Sequence, residues 1–154
     1  MPGELAAARD MSLEHKRMSI IVSDRIAQER QDQAMSKFDA DTLRALRDVQ
    51  ETTIRTDEHP KTAVVIWVAV DGDDVFVRSW LGIKGGWYQD LAAGGPATLE
   101  FAGRRLVVQA IPASDGASVD RASREILRKY RHSSHAQQMV RAEILSTTLR
   151  LEPR

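Results

Sequence analysis

The sequence predicts an α+β fold that is mainly β, a barrel of six antiparallel strands with flanking helices. Six strand-like runs can be counted along the chain, and three or four helical segments accompany them. Tight-turn signals join consecutive strands, which favours antiparallel pairing.

At 154 residues the chain has room for one domain with a continuous core, and two full domains would be cramped. Residues 1–37 read as an N-terminal extension, partly helical or flexible, rich in Gln, Met and charge. The loosely helical spacing of Leu13, Ile20, Ile21 and Ile26 allows a docking face for a partner or a second subunit. A frayed terminus is the other reading of the same residues. Residues 38–154 read as the folded domain.

Order begins at Phe38. Asp39 caps a helix over residues 40–49, with Phe38 and Leu43 at staple positions and Leu43, Leu46 and Val49 on one face. Strands follow at residues 52–55 and 62–70, and the second, almost all β-branched or apolar, has the composition of a strand buried on both faces. Asp71, Gly72 and Asp73 turn the chain into an alternating strand over residues 75–80, which puts Val75, Val77 and Ser79 on one face and Phe76, Arg78 and Trp80 on the other. A Gly-containing loop leads into a short helix at residues 87–93, stopped by Gly94, Gly95 and Pro96. Strands at 97–101 and 104–111 are joined by a turn at Ala102 and Gly103. Ser118 is the expected cap of a helix whose inner face carries Val119, Ala122, Ile126, Leu127 and Tyr130, ended by residues 132–135. A further helical stretch over 136–143 and a half-buried strand over 147–152 complete the chain.

Composition narrows the function. Lys plus Arg and Asp plus Glu both number 22, so no overall field draws the protein to nucleic acid or to an anionic membrane. The absence of cysteine removes disulfides, thiolate catalysis and cysteine-ligated metal centres together. The longest apolar run falls far short of the roughly 20 residues of a membrane helix. The first residues lack the apolar centre of a signal peptide, so a cytoplasmic location is expected.

The richest chemistry lies in residues 75–96. Phosphate recognition calls for a guanidinium fork, a point-charge ammonium and unpaired backbone N–H groups, and Arg78, Lys84 and residues 85–87 offer all three. Ser79 adds a hydroxyl, while Gly82, Gly85 and Gly86 allow close backbone approach and positive φ. The same residues also permit a plainer arrangement, with Arg78 and Lys84 as solvated charges and the glycines serving only the turn. Trp67, Trp80 and Trp87 suit either a pocket for an aromatic ring or the core, with Trp87 the best pocket candidate. Tyr130 is expected to pack with its hydroxyl at the surface. His132 and His135, separated by serines, point to solvent rather than to a metal. A Ser79, His132 and Asp90 triad lacks the Gly-x-Ser-x-Gly elbow that would support it.

From Val64 onward, and above all in VFVRSWLGIKGGWYQDLAAGGPATLEFAGRRLVVQA, the chain resembles the FMN- and deazaflavin-binding split β-barrels, the pyridoxamine-phosphate-oxidase-like superfamily. The helix Gly85-Gly86-Trp87-Tyr88-Gln89-Asp90-Leu91-Ala92 followed by a hairpin is similar to deazaflavin-dependent nitroreductase relatives, nearest an uncharacterised branch. The family's usual Asn-Leu-x-Ala-Asn-Pro ending reads Asp90-Leu91-Ala92-Ala93-Gly94-Gly95-Pro96 here, which leaves the choice of cofactor open. The resemblance implies a homodimer of six-stranded split barrels, with FMN or a deazaflavin (coenzyme F-420) between the subunits. Its phosphate would be held by Arg78, Ser79 and Lys84, with Gly86 and Trp87 beside it.

These observations lead to a flavin- or deazaflavin-dependent oxidoreductase acting on a small molecule, with no protein nucleophile required. A non-catalytic barrel that binds or sequesters a phosphate-bearing or aromatic ligand is the alternative, since fold alone does not establish redox catalysis. A structural dimerisation domain whose extension recruits a partner is a third reading.

Overall fold

Asp39 stops the chain from continuing as a loop: its carboxylate accepts the Thr42 N–H at 2.7 Å and opens α1 (Ala40–Asp48). Phe38, Leu43 and Leu46 turn inward from this first helix into the main core, as their spacing requires. The structure, a computed structural model, describes residues 37–154 and the single residue Arg25. Apart from Arg25 and Lys37, the N-terminal extension, with its apolar positions Leu13, Ile20, Ile21 and Ile26, lies outside the described residues.

Seven strands follow: β1 (Thr52–Thr56), β2 (Val64–Ile66), β3 (Val68–Asp71), β4 (Asp74–Val77), β5 (Gly95–Phe101), β6 (Arg104–Pro112) and β7 (Leu149–Pro153). They pair in the order β2-β1-β5-β6-β7-β4-β3, antiparallel throughout. The two ends of that order, β2 and β3, are separated in the chain by Trp67 alone, so the sheet curls into a nearly closed barrel.

The count of seven corrects the expected six, and the correction lies in the run 62–70. Its first half pairs with β1, Thr52 opposite Ile66, and its second half pairs with β4, Val68 opposite Val77. At the change of partner the Val68 N–H donates to the Tyr130 hydroxyl at 3.2 Å instead of to a strand carbonyl. The run is also not buried throughout: Val65 is 58% exposed, whereas Val68, Ala69 and Val70 are all buried.

Two turns follow the chemistry of their residues. Gly72 at φ 60° begins the two-residue turn that pairs Asp71 with Asp74. Ala102 and Gly103, at φ 48° and 73°, form the tight link between β5 and β6.

Helix α2 (Gly86–Leu91) is a single short helix behind the loop, and α3 (Gly116–Lys129) packs along the outer faces of β3 and β4. Helix α3 starts two residues before the expected cap, because the Asp115 carboxylate accepts the Ser118 N–H at 3.1 Å. Ala122, Ile126 and Tyr130 are its buried face, and Val119 and Leu127 flank it half-buried. Arg121 ties it to the β3–β4 turn through Asp71 and Asp74, and the hydrogen bond from Arg121 holds the Asp71 carboxyl below the usual carboxylate range. The stretch expected to be helical at 136–143 is instead two 3₁₀ segments, Gln137–Val140 and Ala142–Thr147.

Candidate functional site

Strand β4 ends at Val77, and the next two residues leave the ladder while remaining inside the molecule. Arg78 is 1% exposed and Ser79 fully buried. The alternation expected in the sequence holds: Val77 joins the barrel core, whereas Arg78 projects toward α3 and the 3₁₀ segments.

Four of the five guanidinium N–H donors of Arg78 are engaged. Its Nε reaches Thr148 Oγ1 at 2.8 Å, Nη1 reaches Ser123 Oγ and the Met139 carbonyl at 3.0 Å, and Nη2 reaches the Val119 carbonyl at 3.0 Å. All four acceptors are neutral. Burial therefore works against the charge, pushing the guanidinium down to about 10, still protonated at neutral pH.

Ser79 is packed differently. Its N–H donates to Thr147 Oγ1 at 3.1 Å, but its own buried Oγ has no hydrogen-bond partner among the described residues. Gly85 explains the fit, because a Cβ there would stand 2.3 Å from that Oγ. The expected glycine nest takes another form: only Gly82 of the three glycines has positive φ, at 64°, and Gly85 has φ −62°. Gly85 is thus required for close approach, not for handedness.

These residues wall a cavity of roughly 840 Å³. Arg78 and Ser79 contribute to it after β4, Gly85, Gly86 and Trp87 from the start of α2, and Val64, Val65 and Ile66 from β2. Of the six residues singled out in the sequence for a cofactor, five share this cavity. Lys84 is the exception, an exposed residue that is not part of the wall.

All three tryptophans meet here. Trp87 is also part of the barrel core, Trp67 stacks face to face on Tyr130 with centroids 4.0 Å apart, and Trp80 lies between Arg141 and His135. Tyr130 departs from expectation: its hydroxyl is inside, near the Val68 backbone and the Gln50 carbonyl, and burial pushes it up to about 12.

At the β1 end of the cavity stands a polar cluster that sequence reasoning did not assemble. Asp90 Oδ2 accepts the Thr56 hydroxyl at 2.6 Å and lies 2.7 Å from His59 Nδ1, and all three residues line the wall. The Thr56 hydrogen bond, followed by the His59 contacts, holds the Asp90 carboxyl below its ordinary range. In the sequence Asp90 stands out as an acidic residue in place of the Asn of related helices and as a member of the unsupported triad with Ser79 and His132, never beside His59. His59 lies 31 positions away in a loop, and nothing in the spacing links the two.

Residues 39–151, from the α1 cap through most of β7, match the family described as "Uncharacterized protein conserved in bacteria (DUF2255)". The chain is a member of the DUF2255 family. No curated protein matches it. Among solved structures the DUF2255 chain is similar to conserved hypothetical protein Rv2991 from Mycobacterium tuberculosis, with a TM-score of 0.51 and 11% identity, over 79% of this chain and 82% of that one. At that identity the likeness concerns the fold alone, and it agrees with the antiparallel barrel. Among the described residues no helix of the DUF2255 chain is long and apolar enough to cross a membrane.

Proposed function

We propose that this DUF2255 protein binds a planar aromatic molecule of the flavin or deazaflavin class in the tryptophan-walled cavity, where two copies meet. The observation that carries the reading is the convergence of Trp67, Trp80 and Trp87 on one cavity of roughly 840 Å³, within the usual size range of small-molecule sites. Aromatic walls suit a ring system, and the buried Ser79 and Arg78 put polar groups in the same wall. Bound there, such a cofactor supplies hydride transfer to a small organic acceptor, while the chain orients it and excludes water. Val65 and Leu81, 58% and 65% exposed on the cavity wall, are apolar surface that a second copy would cover.

The phosphate fits less well than the ring. Lys84 lies off the wall and Arg78 is largely committed to protein acceptors. That commitment favours a second reading, in which the barrel binds or sequesters an aromatic ligand without phosphate and without turnover.

Because every tryptophan of the chain lines the cavity, selectively excited tryptophan fluorescence reports on this site. Titration with FMN, with a deazaflavin and with a phosphate-free flavin is expected to quench it saturably at micromolar concentration. Equal affinity with and without phosphate selects the second reading, and absence of quenching by all three overturns the cavity assignment.

A further inference from the structure

His59 has one ring nitrogen committed and one free. Nδ1 is held at 2.7 Å by Asp90 Oδ2, and that oxygen is fixed in turn by the Thr56 hydroxyl at 2.6 Å. Nε2 has no partner among the described residues. An ionised Asp90 accepts but cannot donate, so the neutral imidazole must carry its proton on Nδ1 and present a bare lone pair at Nε2. This is the arrangement in which a carboxylate orients a histidine as a base and stabilises the imidazolium that forms.

The cavity supplies a second element. Arg78, on the same wall, is a buried cation whose four hydrogen-bond partners are all neutral, and among the described residues no carboxylate contacts it. A cation in such surroundings interacts more strongly with a nearby anion than it would in water. His59, its side chain 62% exposed, and the buried Arg78 thus both line one aromatic-walled cavity.

We propose that His59 is a proton acceptor for an ionisable O–H or N–H on the aromatic ring bound in this cavity. Asp90 and Thr56 are its positioning residues, and Arg78 stabilises the resulting anion. The ligand class is an aromatic phenol or a ring lactam. The O–H or N–H bond breaks with its electron pair left on the ligand, and the proton bonds to Nε2. Nothing is oxidised or reduced, and the reverse transfer restores both partners. The inference rests on the aromatic-ligand reading of the cavity.

The probe is 4-nitrophenol, read at a pH where the free phenol is mostly neutral. Tryptophan quenching measures occupancy, and the nitrophenolate absorbance measures ionisation of what is bound. The wild type is expected to show both, while His59→Gln keeps the quenching and loses the excess nitrophenolate. Quenching with the bound phenol neutral, or excess nitrophenolate that persists in His59→Gln, overturns the proton transfer and leaves the cavity reading standing. Absence of quenching overturns both. Nitrogen-15 shifts of the ligand-free protein give an independent check: neutral His59 is expected as the Nδ1–H tautomer, a preference lost in Asp90→Asn. A proton on Nε2 in the wild type overturns the assignment.

Discussion

Gly85 stands where a methyl group has no room. A Cβ would lie 2.3 Å from Ser79 Oγ but 3.5 Å from Ser79 Cβ, so the obstacle is the hydroxyl alone. The backbone at φ −62° is otherwise open to alanine, which by itself would stabilise by about 0.4–1 kcal/mol through the unfolded chain. Gly85→Ala is therefore expected to cost about 1–3 kcal/mol as overpacking. Ser79→Ala, which removes an unpaired buried hydroxyl, is expected to be neutral or stabilising. The double variant should be at least as stable as Ser79→Ala alone, and urea denaturation of the four proteins measures the coupling; additive losses would contradict the contact. Arg78 is tied into the fold at several points. Its four hydrogen bonds join the end of β4 to α3, to the 3₁₀ segment at Gln137–Val140 and to Thr148. Arg78→Ala leaves several buried acceptors without a donor and is expected to cost about 3 kcal/mol or more in folding stability. Its chief effect should appear in the denaturation midpoint, ahead of any loss of ligand affinity in the folded protein.

Among the elements, α3 ends at Lys129 and is followed by its C-cap Tyr130, two residues whose charged forms burial disfavours. Lys129 Nζ donates to the Leu46 and Val68 carbonyls at 2.8 Å, and burial pushes it down to about 8 from the ordinary 10.5. Between those values the unfolded chain holds the proton more tightly, so stability attributable to Lys129 rises with pH from about 8 to 10.5. Tyr130 acts in the opposite sense, for it keeps its proton to about 12 when folded and to 10.0 otherwise, so its contribution is full below 10.0 and is lost as pH rises toward 12. Comparing wild type with Lys129→Met and with Tyr130→Phe across this range should give differences of opposite slope; parallel curves would refute the burial argument.

Elements fixed by neighbouring residues could be read in advance. Asp39, Phe38 and Leu43 declare α1 because cap and staple are local, and the hairpin at Ala102 and Gly103 is equally local. The break at Trp67 was not legible. Its cause is Tyr130, 63 positions on, whose hydroxyl takes the Val68 N–H. Five site residues grouped in the sequence meet at the cavity because they are neighbours in one strand–loop–helix segment. The His59 and Asp90 pair was hidden for the converse reason, since only the pairing of β1 with β5 and the seating of α2 against β1 bring them together.

Among the described residues, Trp80 at 40%, Leu81 at 65% and Ile83 at 65% are exposed apolar side chains close together at the cavity mouth and its loop, while Val107, 48% exposed on β6, stands apart from them. If a second copy covers them, Leu81→Asp with Ile83→Asp is expected to turn a dimer into a monomer without altering far-UV circular dichroism. Sedimentation equilibrium reads the outcome, and an unchanged mass would remove this surface from the interface. The order of the strands has a further consequence. β7 lies between β6 and β4, so the last five-residue strand joins the group made of β2, β1, β5 and β6 to the pair of β3 and β4. On a translating ribosome, both groups have emerged while the strand that unites them is still in the exit tunnel. The nascent chain must carry two unpaired sheet edges until β7 emerges, an interval in which edge-to-edge association with another chain competes with completion of its own barrel.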